Sequence, residues 1–323
     1  MAKTNIWRKM FMKKVVITGA TGTIGRALIS VCIQAGYEVL AIVHRNSPRA
    51  SVLNKIEHCL VLHLDLSEYD NAMEEMKKQN ITPESCELFF HLAWMAPFGK
   101  DRENLPLQLD NVKASLTAVH FAKALGCTTF IGAGSQAEYG RVAGQLSSVT
   151  PVFPETGYGV AKLCAGQMTR LACEQVGLKH IWTRILSVYG PHDGKQSLIS
   201  VAVDAMINNR KTSFSPCDQM WDYIYSEDAA RALLLAAQKG CHGSVYVIGS
   251  GKAQPLKEYI HTVAEITGYK KEIGFGRRPY NDKQVMYLQA DITGLQMLGF
   301  EPQVSFEDGI RRIIETECGA DRD

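Results

Sequence analysis

The chain has 323 residues, 46% hydrophobic and 21% charged, enough for one large α/β unit with a smaller lobe or for two domains around a buried core. Its 35 Lys and Arg against 33 Asp and Glu leave a formal net charge of +2, so neither a nucleic acid nor an anionic membrane is expected as a partner. No apolar run reaches the length of a membrane span, the nine histidines show no metal-ligand spacing, and the nine cysteines, without a CxxC pair, read as reduced thiols of a cytoplasmic protein.

Residues 1–12 are basic and mixed and lack the apolar stretch of a secretion signal, so they are expected to form a loose extension outside the fold. From Lys13 short apolar runs alternate with helix-length segments. Strands are predicted at 15–18, 39–43, 59–64, 88–91, 129–133 and 181–185. Helices are predicted at 23–35, 67–78, 107–124 and 157–176. Strand and helix in alternation, with strands apolar on both faces, imply a parallel sheet covered on both sides. After Leu186 the rhythm loosens. A helix returns at 227–239 and a strand at 245–248, and the remainder reads as short helices with irregular links. The expected fold is α/β, a Rossmann-type doubly wound parallel sheet with a smaller mixed C-terminal lobe. Residues 13–185 and 220–250 are assigned to the dinucleotide-binding domain, and 186–219 and 251–316 to the substrate lobe.

The first strand runs directly into Gly19-Ala20-Thr21-Gly22-Thr23-Ile24-Gly25. In a strand-loop-helix setting, GxxGxxG provides a tight turn, a close approach of backbone to a pyrophosphate, and close helix–strand packing. The following helix N-terminus presents free N–H groups and partial positive charge. The second strand ends Val43-His44-Arg45-Asn46-Ser47, without the carboxylate that usually binds the ribose 2′-OH of NAD. Arg45, with Ser47 and Arg49, is a candidate for a 2′-phosphate, which points to NADP with NAD as the alternative. A solvated surface arginine is the plainer reading of Arg45. Asp65-Leu66, after the third strand, falls where adenine is contacted, although Asp65 also suits a helix N-cap.

Tyr158-Gly159-Val160-Ala161-Lys162 is a YxxxK element, and the i,i+4 spacing puts both side chains on one helix face. An ammonium about 4 Å from a phenol, at an effective dielectric near 20, interacts by about 4 kcal/mol. The pair is therefore expected to lower the tyrosine pKa by up to roughly three units, towards neutral pH. Ser135 lies just past the fifth strand, where its hydroxyl can hold a substrate oxygen or serve only the turn.

In this order and spacing the chain resembles the extended short-chain dehydrogenase/reductases, in the nucleotide-sugar epimerase/dehydratase branch. The resemblance runs from about Lys13 to Ile314. It rests on TGATGTIG, the His91-Leu92-Ala93 strand end, Asn111, GSQAEYG, YGVAK, the run Arg184 to Pro191, the run Trp221 to Ala232, Arg277-Arg278-Pro279 and the tail from Ala290 to Pro302. It implies a catalytic set of Ser135, Tyr158 and Lys162, with Lys162 also holding the nicotinamide ribose. It implies cofactor contacts from Gly19, Thr21, Gly22, Thr23, Ile24 and Gly25 and from Leu92 and Ala93. Arg278 resembles the family's substrate-diphosphate arginine, and Trp94 and Gln136 are expected at the sugar. A nucleotide-sugar substrate and a homodimer are implied, and no metal.

One departure narrows the reaction. The branch's 4,6-dehydratases place an Asp-Glu pair directly after the catalytic Ser/Thr; here Gln136 and Ala137 stand there and supply neither acid nor base. The expectation is an NADP-linked reductase of a nucleotide-linked 4-keto-(6-deoxy)sugar. The alternatives are a 4-epimerase with tightly held NAD, similar to UDP-glucose 4-epimerase, and, from another class, a non-catalytic NADP-sensing regulator.

Overall fold

A computed structural model of the chain describes residues 13–82 and 85–320, with side chains through 316. The expected N-terminal extension lies outside the described residues. Seven strands form one sheet: β1 (Lys13–Thr18), β2 (Tyr37–Val43), β3 (Cys59–His63), β4 (Leu88–His91), β5 (Thr129–Ser135), β6 (Lys179–Ile185) and a late strand, Ser244–Ile248. Their spatial order is β3-β2-β1-β4-β5-β6 and then the late strand, and every pairing is parallel. β1 pairs with β2 on one side and β4 on the other, so the strand order reverses there and a crevice opens at the carboxyl ends.

Period-two alternation sends successive apolar residues of these strands into two separate cores. Val15 and Ile17 point into a core with α1 (Thr23–Gln34), while Val16 between them points to the opposite core. Phe90 and Phe89 divide in the same way. The second core is closed by α4 (Leu105–Ala124) and α5 (Gly157–Val176), with α2 (Ala50–Leu53) and α3 (Ala72–Lys78) completing the first half of the chain. Full burial of each such side chain contributes about 1.5–3 kcal/mol.

The expected helix at 67–78 is a 3-10 segment, Leu66–Asn71, followed by α3. Beyond β6 the structure is more regular than the sequence reading. β7 (Ser187–Tyr189), α6 (Leu198–Ile207), β8 (Met220–Trp221), β9 (Tyr223–Tyr225) and α7 (Ser226–Lys239) precede the late strand, β10; β11 (Gln254–Pro255), α8 (Leu256–Thr267), α9 (Thr293–Gln296) and α10 (Phe306–Ala320) follow it. α8 and α10 have 12 and 15 residues, not the short pieces expected. Leu256, Tyr259, Ile260 and Val263 of α8 meet Ile310 and Ile313 of α10 and Ile199, Val203 and Met206 of α6 in a third core.

One packing detail reaches the crevice. The Trp182 indole of β6 lies against β5 and α5. A Cβ at Gly132, Gly134 or Gly166 would fall 2.2, 2.3 or 2.7 Å from it, so these positions admit only glycine while the indole is there.

Candidate active site

The turn after β1 is built for a close-approaching ligand. Gly19 has φ +68°, and a Cβ there would sit 2.9 Å from the Ala93 nitrogen; a Cβ at Gly25 would sit 2.4 Å from the Gly19 carbonyl oxygen. Gly22 is the N-cap of α1, no side chain caps its first N–H groups, and the first turn carries no acidic residue. That end therefore retains free donors and its positive dipole. The Thr18 hydroxyl accepts from the Leu92 and Ala93 N–H groups, each at 3.1 Å, and locks the ends of β1 and β4 together. His91 bridges Thr18 and Ser115, and burial drives its imidazole down to about 3, so it is a neutral structural group. These features fit the pyrophosphate of a dinucleotide.

Ser135 ends β5, where its hydroxyl accepts from the Ala137 N–H at 3.2 Å. Tyr158 is the second residue of α5, a helix capped by Thr156, whose hydroxyl accepts from the Gly159 N–H at 3.0 Å. One turn on, the Lys162 ammonium donates to the Ala133 carbonyl at 2.7 Å and lies 3.7 Å over the Trp94 ring. Trp94 is edge-on to Tyr158 with centroids 6.0 Å apart, and its Nε1 donates to Gln108 at 2.9 Å.

The electrostatics correct the sequence expectation for Tyr158. Burial pushes its phenol up rather than down; the Ser135 hydroxyl and the Arg102 guanidinium offset only part of that. Burial also lowers Lys162 to about 7, with the Glu138 carboxylate pulling the other way. Helix spacing reports proximity and says nothing of desolvation, which dominates both groups.

A measurable consequence follows for the protein without cofactor. Between about 7 and the 10.5 of an unperturbed lysine, the unfolded chain holds a proton that the folded chain has lost at Lys162. Unfolding free energy should therefore rise with pH across that window, by up to ~1.4 kcal/mol per unit from this group. Lys162→Met should flatten the rise. Urea unfolding of both proteins at pH 7, 8 and 9 reads the difference, and equal slopes would mean that Lys162 titrates normally.

Behind Ser135 lies a buried network that sequence reasoning did not find. The Glu138 carboxylate accepts from the Ser135 N–H at 2.8 Å, the Trp182 Nε1 at 3.1 Å and the Arg184 Nε at 2.8 Å. Glu138 and Arg184 are both buried, and the guanidinium stands 4.6 Å over the Tyr139 ring. The signal was available: Ser135-Gln136-Ala137-Glu138 has capping-box spacing, and the structure forms that box.

A cleft of about 640 Å³ runs over the carboxyl ends of the strands. It brings together Gly19, Gly22, Thr23, Ile24 and Gly25 with Leu92, Trp94, Ser135, Gln136, Tyr158 and Lys162. Thr21, Arg45, Asp65, Leu66, Ala93 and Arg278 are not in its lining. Arg45 does not stand free: its Nε donates to Glu68 at 2.8 Å, and it also pairs with Glu75. Asp65 accepts from the Arg45 N–H at 2.9 Å and caps the 3-10 segment, while Leu66 packs on the second core. Arg278 is exposed, its N–H donating to the Phe214 carbonyl at 3.1 Å. The lining adds Arg102, His192 and Asp193, which the sequence reading did not name, and Arg49, which it named only beside Arg45.

A glycine cradle at the strand-order reversal thus faces a serine, a half-buried tyrosine and a lysine across one cleft. The model of the NAD dependent epimerase/dehydratase family matches residues 15–249. The chain belongs to this family, as an enzyme of it. It is similar to a dTDP-4-dehydro-6-deoxyglucose reductase of Escherichia coli, 25% identical over 308 residues that cover 94% of this chain and 96% of the relative. It is also similar to a putative UDP-glucose 4-epimerase of Methanocaldococcus jannaschii, 24% identical over 93% of this chain and 97% of that one. Among solved structures, the UDP-glucose 4-epimerase of Thermotoga maritima with UDP-glucose shares the fold at a TM-score of 0.83 and 24% identity, over 95% of this chain and 99% of that one. Among the described residues, no helix is long and apolar enough to cross a membrane, and no group of His, Cys, Asp or Glu is placed to hold a metal.

Proposed function

We propose that the protein is an NADPH-linked reductase of a nucleotide-linked 4-keto-(6-deoxy)sugar. The observation that carries this reading is the floor of the cleft, where Ser135 and Tyr158 converge while the next position is Gln136, a side chain with no acid or base to offer an elimination. In this reading the glycine cradle and the α1 N-terminus hold the cofactor, which supplies a hydride to the C4 carbonyl carbon. Tyr158 gives its proton to the C4 oxygen, and Ser135 donates a hydrogen bond to the same oxygen. Hydride and proton together make the C4 alcohol. A tyrosine held protonated by burial suits the donor role. The reductase of Escherichia coli, similar along nearly the whole chain, supports the choice.

The preference for NADPH rests on the end of β2, which Val43 closes and His44-Arg45 follow with no carboxylate for a ribose hydroxyl. A 2′-phosphate would draw Arg45 from Glu68 and Glu75, exchanging carboxylate partners for a phosphate. The pairing of Arg45 in the structure favours the second reading, a 4-epimerase with tightly held NAD. One assay separates the two. With a nucleotide-linked 4-keto-6-deoxy sugar, purified protein should consume NADPH stoichiometrically, and Arg45→Ala should weaken NADPH more than NADH. Bound NAD⁺ in the purified protein, with interconversion of C4 epimers at constant 340 nm absorbance, would establish the epimerase instead.

A further inference from the structure

Arg102 lies in the 3-10 turn Lys100–Glu103, between β4 and α4, and it lines the cleft. Its guanidinium carbon stands 4.4 Å from the centroid of the Tyr158 ring. Lys162, which the sequence makes the tyrosine's charge partner, has its ammonium 5.8 Å from that centroid and turned to the Ala133 carbonyl. The turn carrying Arg102 is fixed to the start of α5. The Gly157 N–H donates to the Glu103 carboxylate at 3.0 Å, and a Cβ on Gly157 would meet Leu105 at 2.7 Å and the Arg102 carbonyl at 3.1 Å. From the other side the Gln108 amide donates to the Asp101 carbonyl at 3.1 Å. Among the described residues Arg102 has no carboxylate partner, and its buried Nε has no hydrogen-bond acceptor.

We propose that Arg102 is a positioning residue of this site, whose guanidinium, laid over the Tyr158 ring, provides the positive field in which the phenol releases and regains its proton. The proposal rests on the reading of Tyr158 as the acid/base group. The other groups facing that phenol are the Ser135 hydroxyl from the end of β5, the Glu138 carboxylate from the 3-10 turn after it, Lys162 from its own helix, Glu103 at Gly157, and the uncharged Trp94. Of the two carboxylates, Glu138 opposes ionisation of the phenol, but Arg184 answers its charge; Glu103 is engaged by the Gly157 N–H. Arg102 is the cation that pulls the phenol back against burial. An opposite charge within about 4–6 Å moves an ionisation by about 1–3 units, and the half-exposed position of Arg102 places its effect near the lower end.

The test reads Tyr158 directly. Tyrosinate absorbance is titrated for the unsubstituted protein, Arg102→Gln and Arg102→Lys, each against its own Tyr158→Phe counterpart, with and without saturating oxidised cofactor. The midpoint should rise by about one unit in Arg102→Gln and by less than half of that in Arg102→Lys. Arg102→Met serves as a second neutral variant should the glutamine disturb the far-UV circular dichroism. A midpoint unmoved in a folded neutral variant, or raised equally in the lysine variant, overturns the proposal. Near-native turnover of Tyr158→Phe would instead remove the acid/base reading, and the titration would still report what Arg102 does to the phenol.

Discussion

Replacing Tyr158 by phenylalanine should lower kcat by about 10²–10⁴-fold, the usual worth of a positioned general acid, and leave cofactor affinity within a few-fold of native. The substitution keeps the ring that Trp94 meets edge-on and that Arg102 covers. It also keeps the Thr156 cap and the Lys162 contact with Ala133, so α5 and the cofactor side of the cleft stay in place. Only the hydroxyl beside Ser135 is lost. Steady-state turnover with a 4-keto-sugar nucleotide, alongside a fluorescence titration of NADPH, separates chemistry from binding. A variant that turns over at a near-native rate would exclude Tyr158 from proton transfer. Equal losses of affinity and rate would assign it to binding.

Glu138→Ala should cost stability rather than a single catalytic step, by about 3–5 kcal/mol. The carboxylate is fully buried and faces three donors: the Ser135 N–H, the Trp182 indole and the Arg184 guanidinium. Removing it strands a buried cation, since Arg184 Nη1 already lacks a partner among the described residues. Glu138→Gln retains shape and some acceptor capacity, and should lose less. Chemical denaturation of the three proteins at one pH measures both differences. A loss below about 1 kcal/mol in the alanine variant would mean that water replaces the carboxylate, entering from the cavity of about 80 Å³ that Glu138, Trp182 and Arg184 line.

These two residues show what the sequence reveals and what it hides. The glycine loop, the order of β1 to β6 and the approach of Ser135, Tyr158 and Lys162 were legible because they rest on local rules: a strand period of two, a helix period near four, and glycine where backbone must come close. The regular helices α6, α8 and α10 were less legible. Their apolar stripes pack mainly on one another in a separate core, and the segments between them carry glycines and prolines that blur the period. Arg102 reads in isolation as one more charge in the polar run Lys100-Asp101-Arg102-Glu103; its place over Tyr158 depends on a contact between Glu103 and Gly157, 54 positions away. Arg45 reads as a free cation because its partners Glu68 and Glu75 lie 23 and 30 positions downstream. The direction of the Tyr158 shift was misjudged for the same reason, since burial is set by the whole cleft and not by the turn that joins it to Lys162.

The Trp182 slot also constrains how this lineage can change. Gly132 and Gly166 come from a strand and a helix, yet each is closed to any side chain by the same indole, while Gly134 is closed also by the Glu138 carboxylate and the Thr183 carbonyl. Mutational paths across Gly132, Gly166 and Trp182 therefore run in one order. The tryptophan must give way to something smaller before either of these glycines can drift, and the first Cβ accepted afterwards bars its return. Two glycines that look independent in the chain are thus tied to one indole, and a side chain at either is expected to be tolerated only beside a smaller residue at position 182.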